Sequence, residues 1–198
     1  MKKQQGFTLV EIAIVMVIIG LLLGGVLKGQ AIIKNAQIKN LENSANGVAT
    51  AIYTYQDRYR ALPGDDSNTV TRFGTGVTAG DGTGTIDSAF NTGSGEASLL
   101  WLHLRNAGLV TGADNDQTRP INAFRGVIGA ATDTQANGGI TANTIRGLFI
   151  GFTEIPEDVA LILDSRNDDG LPQSGSIQSD QTTYGVNTGT MHSMFFEL

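Results

Sequence analysis

Cysteine is absent from the 198-residue chain, so neither a disulfide nor a thiolate metal site can brace it. An exported domain of this chain has to hold together by packing or by metal. Charged residues are sparse at 16%, whereas glycine numbers 26, a balance that favours turns and short strands over a helical bundle. Lysine stops at Lys39. From Ala61 onward six arginines (Arg72, Arg105, Arg119, Arg125, Arg146 and Arg166) face sixteen acids, a formal balance of −10. Such a surface repels phosphate backbones and disfavours nucleic acid as a partner; its plain role is to keep a domain soluble. Catalytic signatures are missing too: there is no H-E-x-x-H, no G-x-S-x-G and no phosphate loop. His103 and His192 are the two histidines, far apart in sequence, and the scattered acids make no recognisable triad with them. Nothing here reads as an enzyme.

What the chain does have is one long apolar run. From Phe7 to Leu27, 21 residues carry a single charge, Glu11. As a helix this run spans about 30 Å, enough to cross a bilayer core. A carboxylate at membrane depth is expensive and therefore functional by default. Lys2 and Lys3 precede the run in a short leader ending at Gly6, and positive charges there keep the leader cytoplasmic and send the C-terminal part outward. A secretory signal would be followed by a small-residue cleavage site, but after Leu27 the sequence KGQAIIKNAQIKN continues as helix. An ordinary membrane anchor accounts for the hydrophobicity and gives no reason for Glu11. Thr8 reads as a helix-start residue.

Beyond the run, Ile38, Leu41, Ala45, Val48, Ile52, Tyr55 and Tyr59 recur at spacings of 3 and 4, an apolar stripe along one side of the same helix. Pro63 disfavours a helical Leu62 and ends the segment. A helix from Phe7 to Arg60 is about 80 Å long. Its first half is apolar all round and wants lipid or copies of itself; its second half wants a sheet. Gly20, Gly24, Gly25 and Gly47 weaken it locally by about 1 kcal/mol each relative to alanine.

The string G-F-T-L-V-E from Gly6 to Glu11, with the apolar run behind it, resembles the cleavage and methylation signal of type IV prepilins and type II secretion pseudopilins. The resemblance implies that a prepilin peptidase cuts between Gly6 and Phe7 and methylates the new amino group of Phe7, so that the apolar segment is retained. It also implies that Glu11 pairs with the Phe7 amine of a neighbouring subunit. Two charges offset each other's burial only in good geometry, so an unpaired Glu11 is penalised and register is enforced. The implied partners are other pilins in a homo- or hetero-polymer, the peptidase, an inner-membrane assembly platform and membrane lipid. The implied location is the bacterial inner membrane as a single-pass precursor, then a surface pilus or a periplasmic pseudopilus. A membrane-anchored binding domain that never polymerises is the competing class. Many family members clip the C-terminal region with a disulfide, which this chain lacks. Many carry a proline a little beyond Gly24 and Gly25, where Lys28 stands, so local melting of the helix during assembly would rest on the glycines alone. YRALPGDD, GDGTGTI, GEASLLWLHLRNAGL and DDGLPQSG are similar to a subgroup of prepilin-type proteins, which names no function beyond the class.

The expected fold is α+β and pilin-like: a long N-terminal helix packed on a C-terminal antiparallel sheet domain with short peripheral helices. The expected division is a leader at 1–6, a transmembrane or filament-core helix at 7–30, its amphipathic continuation at 31–60 and a head domain at 61–198. Within the head, Pro63-Gly64-Asp65-Asp66 is a turn, and 67–91 reads as a long loop with room for a small hairpin. A helix follows in GEASLLWLHLRNAGL, with Ala97, Leu100, Trp101, Leu104 and Ala107 on one face and Gly108 as its stop. Trp101 reads as a core anchor and His103 as a satisfied structural group. Strands are expected at 145–152, 176–179, 183–186 and 191–196, with a short helix opened by Pro156-Glu157-Asp158.

Two acidic loops are candidate metal sites. Asp81 to Asp87 (DGTGTID) partly echoes a calcium loop, yet placing Gly84 on the invariant glycine puts Ala79 at the first ligand position and Phe90 at the last. Asp164, Asp168 and Asp169 form the second, and the resemblance implies calcium loops in the heads of some pseudopilins. Turn formation by Asp and Gly is the plainer reading of both.

Overall fold

The computed structural model describes Gly6 and residues 8–133, 145–185 and 189–198. The chain divides into two compact units, Met1–Lys39 and Asn40–Leu198. A single helix, α1 (Leu9–Tyr59), supplies the first unit and opens the second. Its 51 residues span about 77 Å at 1.5 Å per residue. It is unbroken through Gly20, Gly24 and Gly25.

From Leu9 to Ala36 the apolar residues of α1 are exposed on every side, with Leu9 at 91%, Leu21 at 73% and Leu27 at 66%. Among the described residues, α1 is the one helix long and apolar enough to cross a membrane, and none of its most apolar window is buried. A helix so built gains nothing from water, and its apolar surface is far larger than a soluble monomer tolerates.

In the second unit α1 becomes one-sided. Leu41, Ala45, Val48, Ala51, Ile52 and Tyr55 are buried, while Tyr53 on the other side is half exposed. Ile38, one turn earlier, is buried as well. Two short elements follow the end of α1: α2 (Thr69–Phe73) and α3 (Glu96–Asn106). Every residue of α3 from Ala97 to Arg105 is buried, including the expected face of Leu100, Trp101 and Leu104. Gly108, at φ +69, ends it in a Schellman turn: the Leu109 N–H donates to the Leu104 carbonyl and the Gly108 N–H to that of Arg105. Arg105 then organises the next loop, its guanidinium donating to the carbonyls of Thr111, Asp116 and Thr118.

The sheet has four antiparallel strands in the order β1-β2-β4-β3: β1 (Ile128–Thr132), β2 (Leu148–Pro156), β3 (Ile177–Ser179) and β4 (Met191–Glu197). Between β2 and β3 lies α4 (Glu157–Asn167), with Glu157 and Asp158 in its first turn, where acids complement the dipole. Cross-strand partners share a face, so Phe149, Gly151 and Phe195 lie together and Ile150, Phe152, Phe196 and Ile177 lie on the other side. Phe90 covers the first face, its ring edge-on to Phe149 and Phe195 at centroid distances of 6.0 and 5.3 Å. The paired Gly129 and Gly151 make room for it: a Cβ on Gly129 would lie 1.9 Å from the Phe90 carbonyl oxygen, and one on Gly151 would lie 2.3 Å from its ring. On the second face, Glu42, Ala45 and Asn46 of α1 line a small cleft with Ile177 and Phe196.

Several sequence expectations shift. Strand β2 starts at Leu148 rather than Ile145 and runs on to Pro156, with a bulge between Phe152 and Ile155 where Glu154 sits at φ +60. Strand β1 was not anticipated; its residues IGAAT carry little β-branched signal, and it pairs because β2 presents an open edge to it. The expected strand at 183–186 does not form over Thr183, Tyr184 and Gly185, and Val186 lies outside the described residues. The Tyr184 hydroxyl donates to Asp164 and the Gly185 N–H to Glu157, so side chains of α4 hold this segment away from the ladder. The stretch at 67–91 forms α2 and then irregular loop, with no hairpin.

Candidate functional site

The first candidate site is the start of α1. Thr8 occupies the cap position and Glu11 the third helical position, and the two close a reciprocal box. The Thr8 N–H and Oγ–H both donate to Glu11 Oε2, at 2.8 and 2.7 Å, and the Glu11 N–H donates to Thr8 Oγ at 3.3 Å. Gly6 precedes them, exposed, while Phe7 lies outside the described residues. The apolar side chains that follow, Val10, Ile12, Ile14 and Val15, are all exposed. Glu11 therefore sits as the lone carboxylate at the head of a greasy, uncovered helix.

The second candidate region is the loop layer between α1 and α3. Asp66 is buried, and its Oδ2 accepts the Tyr55 hydroxyl at 2.7 Å and an Arg72 N–H. Its Oδ1 accepts the Asn68 N–H at 2.9 Å. Arg72 also donates to the Tyr59 carbonyl and lies 5.2 Å from the Tyr59 ring centre. Burial pushes the Tyr55 hydroxyl well above its ordinary pKa, so it stays a donor. His103 is buried under the same loop: its Nδ1 accepts the Gly64 N–H at 2.8 Å, and its Nε2 lies 2.8 Å from the Thr78 carbonyl. These two bonds require the neutral tautomer with the proton on Nε2. Burial accordingly holds the imidazole below its ordinary pKa. His103 thus bridges two loops through its hydrogen bonds to Gly64 and Thr78.

Beside this network the expected loop of Asp81 and Asp87 is built differently. The carboxylates of Asp65, Asp81 and Glu96 come within 4.8 Å of one another, and that of Asp87 is not among them. Asp87 contributes its backbone instead: its N–H donates to Glu96 Oε2 at 3.0 Å. Asp65 accepts the N–H groups of Thr83 and Gly84, each at 2.8 Å. Hydrogen bonds from Thr83 hold Asp81 below its ordinary pKa, whereas burial raises that of Glu96. Spacing in sequence could not reveal this set, because its members come from three separate segments. The P-G-D-D turn was the one available signal for Asp65.

Asp164, Asp168 and Asp169 do come together, again within 4.8 Å. Asp164 accepts the Gly170 N–H at 2.9 Å and the Tyr184 hydroxyl at 2.6 Å, and burial raises its pKa. Asp168 accepts the Ile177 N–H at 2.8 Å, and Asp169 accepts the Leu171 N–H and the Ser174 hydroxyl at 2.8 and 2.5 Å. Each trio offers carboxylate oxygens of the kind calcium takes. In both, those oxygens already accept loop hydrogen bonds.

Residues 1–27 match the family model of the prokaryotic N-terminal methylation motif. The chain carries the type IV pilin and pseudopilin signal. The motif takes in the leader, Gly6, Phe7, Thr8, Glu11 and the apolar segment to Leu27, and the long helix behind it joined to a four-stranded antiparallel sheet is the pilin-like architecture. Proteins with this signal are structural precursors, processed by a prepilin peptidase and polymerised with other pilins. The apolar helix and the motif together fit an inner-membrane precursor. No curated protein and no solved structure gives a significant match to this chain.

Proposed function

We propose that this protein is a filament subunit cut after Gly6, methylated on Phe7 and polymerised through α1 into a type IV pilus or pilus-like surface fibre. The observation that carries the reading is the coincidence of the methylation motif at 1–27 with an apolar helix that the subunit itself leaves wholly uncovered. In this reading the head lies outside the cytoplasm, Glu11 meets the Phe7 amine of a neighbouring copy, and an inner-membrane platform drives extraction from lipid. No catalytic step is assigned to the chain.

A second reading, a pseudopilin of a type II secretion system, rests on the same motif and the same exposed apolar segment. Mass spectrometry of the mature chain tests the common ground: a methylated Phe7 at the N-terminus is expected, and an N-terminus retaining Lys2 and Lys3 would sink both readings. Imaging of a deletion strain separates them. Loss of surface fibres supports the pilus, and loss of protein export with fibres intact supports the pseudopilus.

A further inference from the structure

The apolar run of α1 carries a charge near each end. Glu11 stands close to its start, and Lys28 follows it directly, exposed. In the filament reading Glu11 has a partner and Lys28 has none. From Ile12 to Leu41 the chain holds no acid, and its charges are Lys28, Lys34 and Lys39. A lysine drawn into a fibre beside the apolar run loses water, which is costly unless a carboxylate meets it.

The head offers a receptor of matching chemistry. Glu42 and Asn46 of α1, Asn167 of α4, Ile177 of β3 and Phe196 and Glu197 of β4 line a cleft of about 210 Å³. Among the described residues, no lysine or arginine lines it. The Asn167 amide donates to Glu42 Oε1 at 3.4 Å, which keeps that carboxylate at the cleft. Two acids beside Ile177 and Phe196 suit a lysine: its four-carbon stem covers apolar surface while its ammonium donates to carboxylates. From Ala61 onward the head has no lysine of its own. In one chain Lys28 and Glu42 are separated by about 21 Å of helix, beyond the reach of a side chain, so a second copy has to supply the cation. Parallel copies bring the two together at an offset in the same sense as the one that brings Phe7 to Glu11.

We propose that Lys28 of one copy docks in this cleft on a neighbouring copy, its stem against Ile177 and Phe196 and its ammonium between Glu42 and Glu197. The contact ties the end of one apolar run to the head of another subunit. It rests on the filament reading above.

The test compares fibre recovery from the full-length wild type, Lys28→Glu, Glu197→Lys and the double variant that exchanges the two charges. Membrane content and the N-terminus of each are checked by immunoblot and mass spectrometry. Each single variant is expected to lower fibre yield about tenfold or more, because like charges facing each other across a contact repel. The double variant restores the attraction and is expected to return to within about threefold of wild type. Wild-type yield from either single variant overturns the proposal and leaves the filament reading standing, as does a double variant no better than Lys28→Glu. Lys28→Glu that is lost from the membrane or left uncleaved also overturns it, because the role of Lys28 then lies with lipid headgroups or with the peptidase. A wild-type chain whose Phe7 is unmethylated sinks the filament reading and this contact with it.

Discussion

Removing the Asp66 carboxylate should loosen the join between α1 and the rest of the head. Asp66→Ala takes away the acceptor for the Tyr55 hydroxyl, for an Arg72 N–H and for the Asn68 N–H at once. The Asp66 side chain is fully inaccessible and that of Arg72 is 26% exposed, so the pair is buried on one side and partly wetted on the other. Breaking a fully buried pair by deleting one partner costs about 3–5 kcal/mol, and the access of water to Arg72 places this case at the low end, about 3 kcal/mol. For a folding unit of this size about 1 kcal/mol moves the melting temperature by roughly 2–4 °C, so a drop of about 6–12 °C is expected. Trp101, the single tryptophan and fully buried, makes intrinsic fluorescence a direct report on this unit in the detergent-solubilised chain. Tyr55→Phe, which removes one donor and leaves the ion pair, should lower the melting temperature by about 2–4 °C, since one hydrogen bond contributes about 1 kcal/mol. In the double variant the loss should fall short of the sum, because the two share one bond. A fall of less than about 2 °C for Asp66→Ala would refute the assignment of this network as the clasp on α1.

Three further outcomes follow from the same geometry. Because His103 is held neutral in the fold and titrates higher when unfolded, its contribution is complete above its ordinary pKa of about 6.5 and is lost as pH falls through the lowered folded value; fluorescence melts below pH 6.5 should show that fall, and His103→Gln should flatten it. Gly129→Ala should destabilise the head by about 1–3 kcal/mol, the usual cost of overpacking, because its Cβ would meet backbone at Phe90 rather than a flexible side chain; a melting temperature within 1 °C of wild type, on a scale of ~2–4 °C per kcal/mol, would contradict the packing described. Calcium or chelator should leave the melting temperature unchanged, since the carboxylates of both acidic trios already serve as acceptors for loop N–H and O–H groups; a rise that tracks calcium concentration would instead assign a bound ion.

Much of this protein is written in short stretches of chain. The methylation motif needs only residues 1–27, the membrane-length helix needs only composition, and the stripe from Leu41 to Tyr55 needs only a spacing of 3 and 4. The helix at Glu96–Asn106 with its Gly108 stop is local for the same reason: each hydrogen bond in it joins residues a turn apart. Such features survive without a tertiary fold because their energetics depend on near neighbours.

Other features depend on which distant segments meet, and no local pattern carries that. IGAAT is a weak strand former that pairs only because β2 lies beside it, while a stronger-looking stretch at Thr183–Gly185 is drawn off by Asp164 and Glu157. Nothing in the local sequence shows why Gly129 and Gly151 are glycines until Phe90 is laid across them. Asp81 leaves its sequence neighbour Asp87 for Asp65 and Glu96 because three loops converge on the start of α3. Thr8 and Glu11 stand between the two classes: three residues apart, they are close by sequence alone, yet only the folded helix shows the carboxylate already held by its own chain. Sequence by itself settled that this chain has a helix long and apolar enough to cross a membrane and carries a pilin-type signal; the tertiary structure decided how its head is clasped, because contacts across long loops are fixed by packing and not by spacing.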